Sequence, residues 1–246
     1  MTAPIATIDE KRRGALKSLT GLYGFKIVTR DSYIGRATEF FFDDRSWHIR
    51  YLVVDTGGWL PDRKVLIVPD AFGELDNEWQ VVPVALTREQ VEKSPGIAAD
   101  EPVSPRHEIA VDRYYSRWLH HAADAPSPGE LQWQEGSDKS PHLRSSREII
   151  GYTLHAAGEN VGHIADMLFD DQSWVIRYIV AALEDRLSGK KEVLVAPEWI
   201  TAIDAVRATI QVDLHTKVLR DSPAYDPTRE VSRDDEARLY THYGKS

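Results

Sequence analysis

From Trp47 to Asp55 the residues alternate. Trp47, Ile49, Tyr51 and Val53 fall on one side of an extended chain, and His48, Arg50, Leu52 and Val54 on the other. A period of two marks a β-strand, and here the first face is the more consistently apolar. Short apolar runs on either side predict further strands at Phe25–Thr29, Ile34–Phe42, Val65–Val68 and Trp79–Val84. Polar clusters separate them. Arg30-Asp31-Ser32 and Asp43-Asp44-Arg45-Ser46 read as turns, because Asp and Ser bond their own backbone there. Gly35 reads as a bulge or tight bend and Gly57–Lys64 as a loop. Strands this short, spaced by about ten residues, predict a small barrel or sandwich. The pattern then turns helical. Thr87, followed by Glu89 and Gln90, is an N-cap sequence, and Ser104 or Pro105 starts a second helix that runs to about His120.

The chain then repeats itself. Gly162–Val180 restates Gly35–Val53 at an offset of 127 residues, with 10 of 19 positions identical. Val65-Leu66-Ile67-Val68-Pro69 returns as Val193-Leu194-Val195-Ala196-Pro197, and Val103-Ser104 with Tyr115 returns as Val231-Ser232 with Tyr243. Helices are expected near His215 and Ser232 in the second copy. Self-similarity at a fixed offset defines the architectural unit. The expected organisation is a tail over residues 1–18, one module over 19–118, a Pro/Ser/Gly/Asp-rich linker over 119–145, and a second module over 146–246.

Composition narrows the function classes. Hydrophobic residues at 42% and charged residues at 28% are ordinary for a globular protein. No run of about 18 apolar residues predicts a membrane span, and the N-terminus has no signal-type apolar core, so a cytoplasmic location is expected. The absence of cysteine removes disulfides, thiol nucleophiles and thiolate metal sites. The net charge of −9 is spread over all segments without a basic block, which opposes nucleic-acid binding.

At the pattern FDDxSWxIRYxV, with VLxxP downstream, the sequence resembles the PRC-barrel superfamily. That superfamily is known from the cytoplasmic part of the photosynthetic reaction centre H subunit and from the C-terminal domain of the ribosome maturation factor RimM. The resemblance covers Leu19–Leu86 and Ser146–Leu214, and is greatest to bacterial tandem PRC-barrel proteins. It implies a mainly β fold: two small antiparallel PRC-type β-barrels in tandem, each followed by one or two helices. It supplies no shared catalytic residues. The two barrels are expected to imitate a homodimer within one chain, and further homo-oligomerisation is compatible with that arrangement.

The repeated signature contains Gly35, Asp43, Trp47 and Arg50, returning as Gly162, Asp170, Trp174 and Arg177. A structural role is expected for all eight: bend, turn, strand core, and an arginine paired with Glu39 or Asp166 on the neighbouring strand. Candidate partner contacts lie where the copies diverge. These are Trp59, Leu60 and Arg63 in one loop, and Leu183, Arg186 and Leu187 in its replacement. No catalytic residue, metal ligand or cofactor is expected. No helical His-x-x-x-His pattern, Walker sequence or nucleophile elbow occurs.

The function expected is a non-enzymatic binding or scaffold module with a protein partner. In its specific form this is an H-subunit-like role at the periphery of a membrane electron-transfer assembly. One alternative is a metal-dependent or acid–base hydrolase using Asp43/Asp44 with a His. The other is a RimM-like RNA- or ribosome-associated factor.

Overall fold

The repeated signature folds as a long antiparallel hairpin in both copies. The computed structural model describes residues 14–61, 63–98, 102–119, 142–185 and 189–244, with the backbone alone for 184, 185, 189 and 190. In chain order the strands begin with β1 (Leu16–Ser18), β2 (Lys26–Val28), β3 (Tyr33–Asp43), β4 (Ile49–Asp55), β5 (Arg63–Ile67), β6 (Val81–Pro83), β7 (Ile97–Ala98) and β8 (Leu143–Ser145). They continue with β9 (Thr153–Ala156), β10 (Glu159–Asp170), β11 (Ile176–Asp185), β12 (Gly189–Val195), β13 (Ile200–Asp204) and β14 (Thr209–Val212). The helices are α1 (Arg88–Glu92), α2 (Pro105–Leu119), α3 (Ser146–Ile149), α4 (Thr216–Asp221) and α5 (Arg233–Tyr243). The chain is therefore mainly β, with two seven-stranded sheets.

Contacts divide it into two compact units, and neither is a continuous stretch. The repeat-1 unit comprises Leu22–Arg45 and Ile49–Ser146. Its sheet runs β6-β2-β3-β4-β5-β7, with β8 added beside β3. The repeat-2 unit comprises the segment ending at Gly21, Ser46–His48, and the chain from Arg147 onward. Its sheet runs β12-β11-β10-β9-β14-β13, with β1 added beside β10. This division differs from the boundaries expected of the sequence. Leu16–Ser18, assigned to the tail, and Leu143–Ser145, assigned to the linker, are ladder strands.

Why the signature gives this hairpin is visible in its burial. Ile49, Tyr51, Leu52, Val53 and Val54 are buried on β4, and Ile176, Tyr178, Ile179, Val180 and Ala181 on β11. A strand apolar on both faces is covered on both faces. Gly35 and Gly162 sit where the long strands pass closest to their partners. Their φ angles are +148° and +153°, and a Cβ would lie 2.1 Å from the carbonyl oxygens of Asp55 and Ala182 respectively. Only glycine fits such an approach.

Trp47 and Trp174 depart from the expected alternation. Both have left-handed backbones, with φ of +59° and +54°, so neither continues a strand. Trp47 is 6% exposed, and its carbonyl accepts from the Ile176 amide at 2.8 Å inside the repeat-2 unit. Trp174 is only half-buried and stacks on Phe169 at 4.9 Å between centroids. Trp47 is buried, but its segment belongs to the repeat-2 unit and not to its own repeat, whereas Trp174 is a partly covered stacking residue.

Candidate interaction sites

In both copies the first aspartate of the signature caps its turn and the second holds the added strand, and Asp170 Oδ2 also accepts from the Gly14 amide at 3.1 Å. Asp43 Oδ1 accepts from the Arg45 amide at 3.0 Å, and Asp170 Oδ1 from the Gln172 and Ser173 amides at 3.0 and 2.9 Å. Asp171 Oδ1 accepts from the Ala15 amide at 2.9 Å. Asp44 takes Arg144 Nε at 2.7 Å on one oxygen and contacts His142 Nδ1 at 3.2 Å with the other. An acid and a histidine thus meet in the repeat-1 unit, but the guanidinium of Arg144 already neutralises the carboxylate. Among the described residues no group of three or more His, Asp or Glu side chains is placed to hold a metal ion.

The arginine pairing differs from the expectation. Arg50 Nη2 donates to Asp112 Oδ2 on α2 at 2.9 Å, and Glu39 accepts from Ser145 Oγ. Strand register explains the difference. Glu39 lies opposite Val53, three residues beyond Arg50, so Arg50 reaches the helix instead. Asp166 likewise accepts from Ser18 Oγ and from the Thr20 amide at 3.0 Å.

Each helix after a sheet is docked by buried phenols. Tyr51 donates to Asp112 Oδ1 at 2.8 Å and Tyr115 to the Leu66 carbonyl at 2.8 Å. In the second copy Tyr178 donates to Glu236 Oε1 at 2.8 Å and Tyr243 to the Leu194 carbonyl at 3.3 Å. Glu236, 8% exposed, is a buried acid with a donor partner. Burial pushes the hydroxyls of Tyr51, Tyr115 and Tyr178 well above the ordinary tyrosine range, and those of Tyr240 and Tyr243 up to about 12. An unfolded chain loses these protons near pH ~10. The folded chain keeps them to higher pH, so their stabilisation is complete below that value and is lost as pH rises through the folded values. The melting temperature should therefore fall steeply above about pH 10, and Tyr178→Phe should make the fall shallower. Phenols that titrate normally while the protein stays folded would contradict this.

The candidate partner contacts are largely engaged within their own units. Trp59 Nε1 donates to the Ile34 carbonyl at 2.9 Å, and the Arg88 guanidinium sits 4.3 Å over its ring. The neighbouring Leu60 accepts from Thr56 through its carbonyl at 3.2 Å. Arg63 donates to the Glu92 carbonyl at 2.9 Å and to the Ser94 carbonyl, covering the C-terminal end of α1. Its repeat equivalent Lys191 does the same for α4 through the Arg220 carbonyl at 2.8 Å. Leu183 is 3% exposed within β11. What the sequence suggests is a loop from Leu183 is a hairpin, with Leu183–Asp185 extending β11 and Gly189 opening β12. Arg186 and Leu187 lie outside the described residues.

Sequence reasoning missed two features. A cavity of about 180 Å³ in the repeat-2 unit is lined by Leu194, Tyr225, Arg229, Asp235 and Leu239, among others. Arg229 there is tied to Asp235, the N3 residue of the α5 capping box. The second feature is the exposure of Tyr33 and Trp79 in the repeat-1 unit; Trp118, on a helix whose aromatics the sequence does offer as docking positions, is exposed as well. Trp79, 68% exposed, stands at a turn tip, where its amide donates to Asp76 Oδ1.

A family model described as PRC-barrel domain matches residues 16–86. No curated protein matches the chain. The match spans strands β2 to β6 of the first repeat, which is similar to a PRC-barrel domain over those residues. The second copy has the same long-strand hairpin, the same bend glycine and the same docking tyrosine, and two mainly β units of this kind are consistent with PRC-type β domains in tandem. Among the described residues no helix is long and apolar enough to cross a membrane.

Proposed function

We propose that this protein is a non-enzymatic binding or scaffold module, with an H-subunit-like role beside an electron-transfer assembly. One observation carries the reading. The residue types in the repeat that carry chemistry elsewhere are committed to building the fold: Asp43 and Asp170 to turns, Asp44 and Asp171 to added strands, Arg50 and Tyr178 to helix docking. The PRC-barrel match supports the same coarse class. The exposed Tyr33, Trp79 and Trp118 are of the residue types that protein partners use as anchors.

The test compares the intact chain with Trp79→Ala as bait in extracts of its native host. Membrane electron-transfer components should be recovered by the first and reduced at least about tenfold with the second, a loss of ~1.4 kcal/mol in binding. The opposite result would be turnover of an ester, phosphoester or glycoside panel that Asp44→Asn abolishes. That outcome sinks the reading in favour of a hydrolase.

A further inference from the structure

Each long strand has one edge shared by two partners. On β10, β9 covers the first part, from Glu159 to His163, and β1 covers Leu168–Asp170. On β3, β2 covers Tyr33–Arg36 and β8 covers Phe41–Asp43. The short hairpin partner stops early in both sheets. The remaining half-edge would present unpaired amides and carbonyls, which is the template that strand addition uses.

The two added strands share a pattern of leucine, basic residue and serine. Leu16, Lys17 and Ser18 pair with Asp170, Phe169 and Leu168. Leu143, Arg144 and Ser145 pair with Asp43, Phe42 and Phe41. Each position on strand and edge is related to its counterpart by the 127-residue repeat offset. The third-residue hydroxyl donates to a carboxylate in both: Ser18 to Asp166, Ser145 to Glu39. The amide of the second signature aspartate donates to the donor segment in both: Asp171 to the Ala15 carbonyl at 3.1 Å, Asp44 to the His142 carbonyl at 2.9 Å. Every donor therefore comes from a segment remote from its acceptor. The bonds from Gly14, Ser18 and Thr20 to carboxylates of β10 span 146 to 156 residues of sequence.

We propose that the Phe41–Asp43 and Leu168–Asp170 edges are interchangeable strand-acceptor sites, and that a second copy of this chain fills them in trans by strand exchange. A strand from another copy makes the same ladder, the same serine–carboxylate bond and the same aspartate contacts. Exchange then costs little beyond association itself. Repetition of the acceptor chemistry also lets β8 of one copy occupy the β10 edge of another.

The chain has no cysteine, so introduced thiols report cleanly. A Cβ at Gly14 would lie 2.7 Å from Gln172 Cγ, which places position 15 within reach of position 172 for a short thiol cross-linker. Full-length Ala15→Cys/Gln172→Cys should cross-link within the chain. Ala15→Cys mixed with Gln172→Cys at high concentration, and diluted before cross-linking, should give a covalent dimer whose yield doubles with each doubling of the incubation concentration. His142→Cys mixed with Gln172→Cys should give a comparable dimer. Val206→Cys with Gln172→Cys measures random collision. An intrachain product with no interchain product above that background overturns the exchange. A dimer from positions 15 and 172 without one from 142 and 172 overturns the interchangeability. Loss of the intrachain product itself removes the acceptor site.

Discussion

Gly162→Ala lowers stability by about 4 kcal/mol, and Gly35→Ala by a similar amount. Two costs combine. The backbone at φ +153° is one that L side chains rarely adopt, a penalty of about 1–3 kcal/mol. The added methyl would also stand 2.1 Å from the Ala182 carbonyl oxygen, and relieving such overpacking costs about 1–3 kcal/mol more. In a chain of this length the melting temperature should drop by about 10 °C. Gly58→Ala is the control. A Cβ there meets nothing within 4 Å, so its melting point should stay within about 2 °C of the parent. Equal midpoints for Gly162→Ala and Gly58→Ala in thermal melts would show that the hairpins do not need the close approach.

Trp47→Ala and Trp174→Ala should differ although the repeat makes them equivalent. Trp47 is 6% exposed, and truncating a buried tryptophan costs about 3–5 kcal/mol. Trp174 is half-buried. It loses a stacked contact with Phe169 and part of its area, about 1–2 kcal/mol. Denaturant midpoints of the two variants would settle the order. Equal losses would mean that the two copies bury their tryptophans alike.

These tryptophans show where the sequence is readable and where it is not. The turn aspartates were legible, because Asp43 and Asp170 act locally and local chemistry is written in adjacent residues. The helix starts were legible for the same reason: Thr87 with Gln90 and Ser232 with Asp235 form reciprocal capping boxes. Trp47 was not, since alternation through Ile49 and Tyr51 continues one residue too far and a left-handed backbone leaves no mark in a period of two. Arg50 was misplaced because its partner depends on strand register and on a helix some sixty residues later. Arg63 looked like a contact in a variable loop, yet it closes a helix end by bonding backbone carbonyls, which carry no sequence signal. The added strands went unseen because three residues of Leu–basic–Ser show no periodicity. A signal did exist upstream of each signature: Leu16-Lys17-Ser18 and Leu143-Arg144-Ser145 stand at the same 127-residue offset as the signature itself.

The pairing of β1 with β10 has a temporal side. The residues at 16–18 leave the ribosome long before Leu168–Asp170 are made. At about 5–20 residues per second, the acceptor edge follows its donor by roughly 10–30 s. During that interval the first repeat can mature while its preceding strand waits unpaired. Contacts of such long sequence separation also slow folding, because the chain entropy is spent before the contact returns it. Assembly is thus ordered by translation: the earliest of the described strands to emerge is among the last of them to find its place.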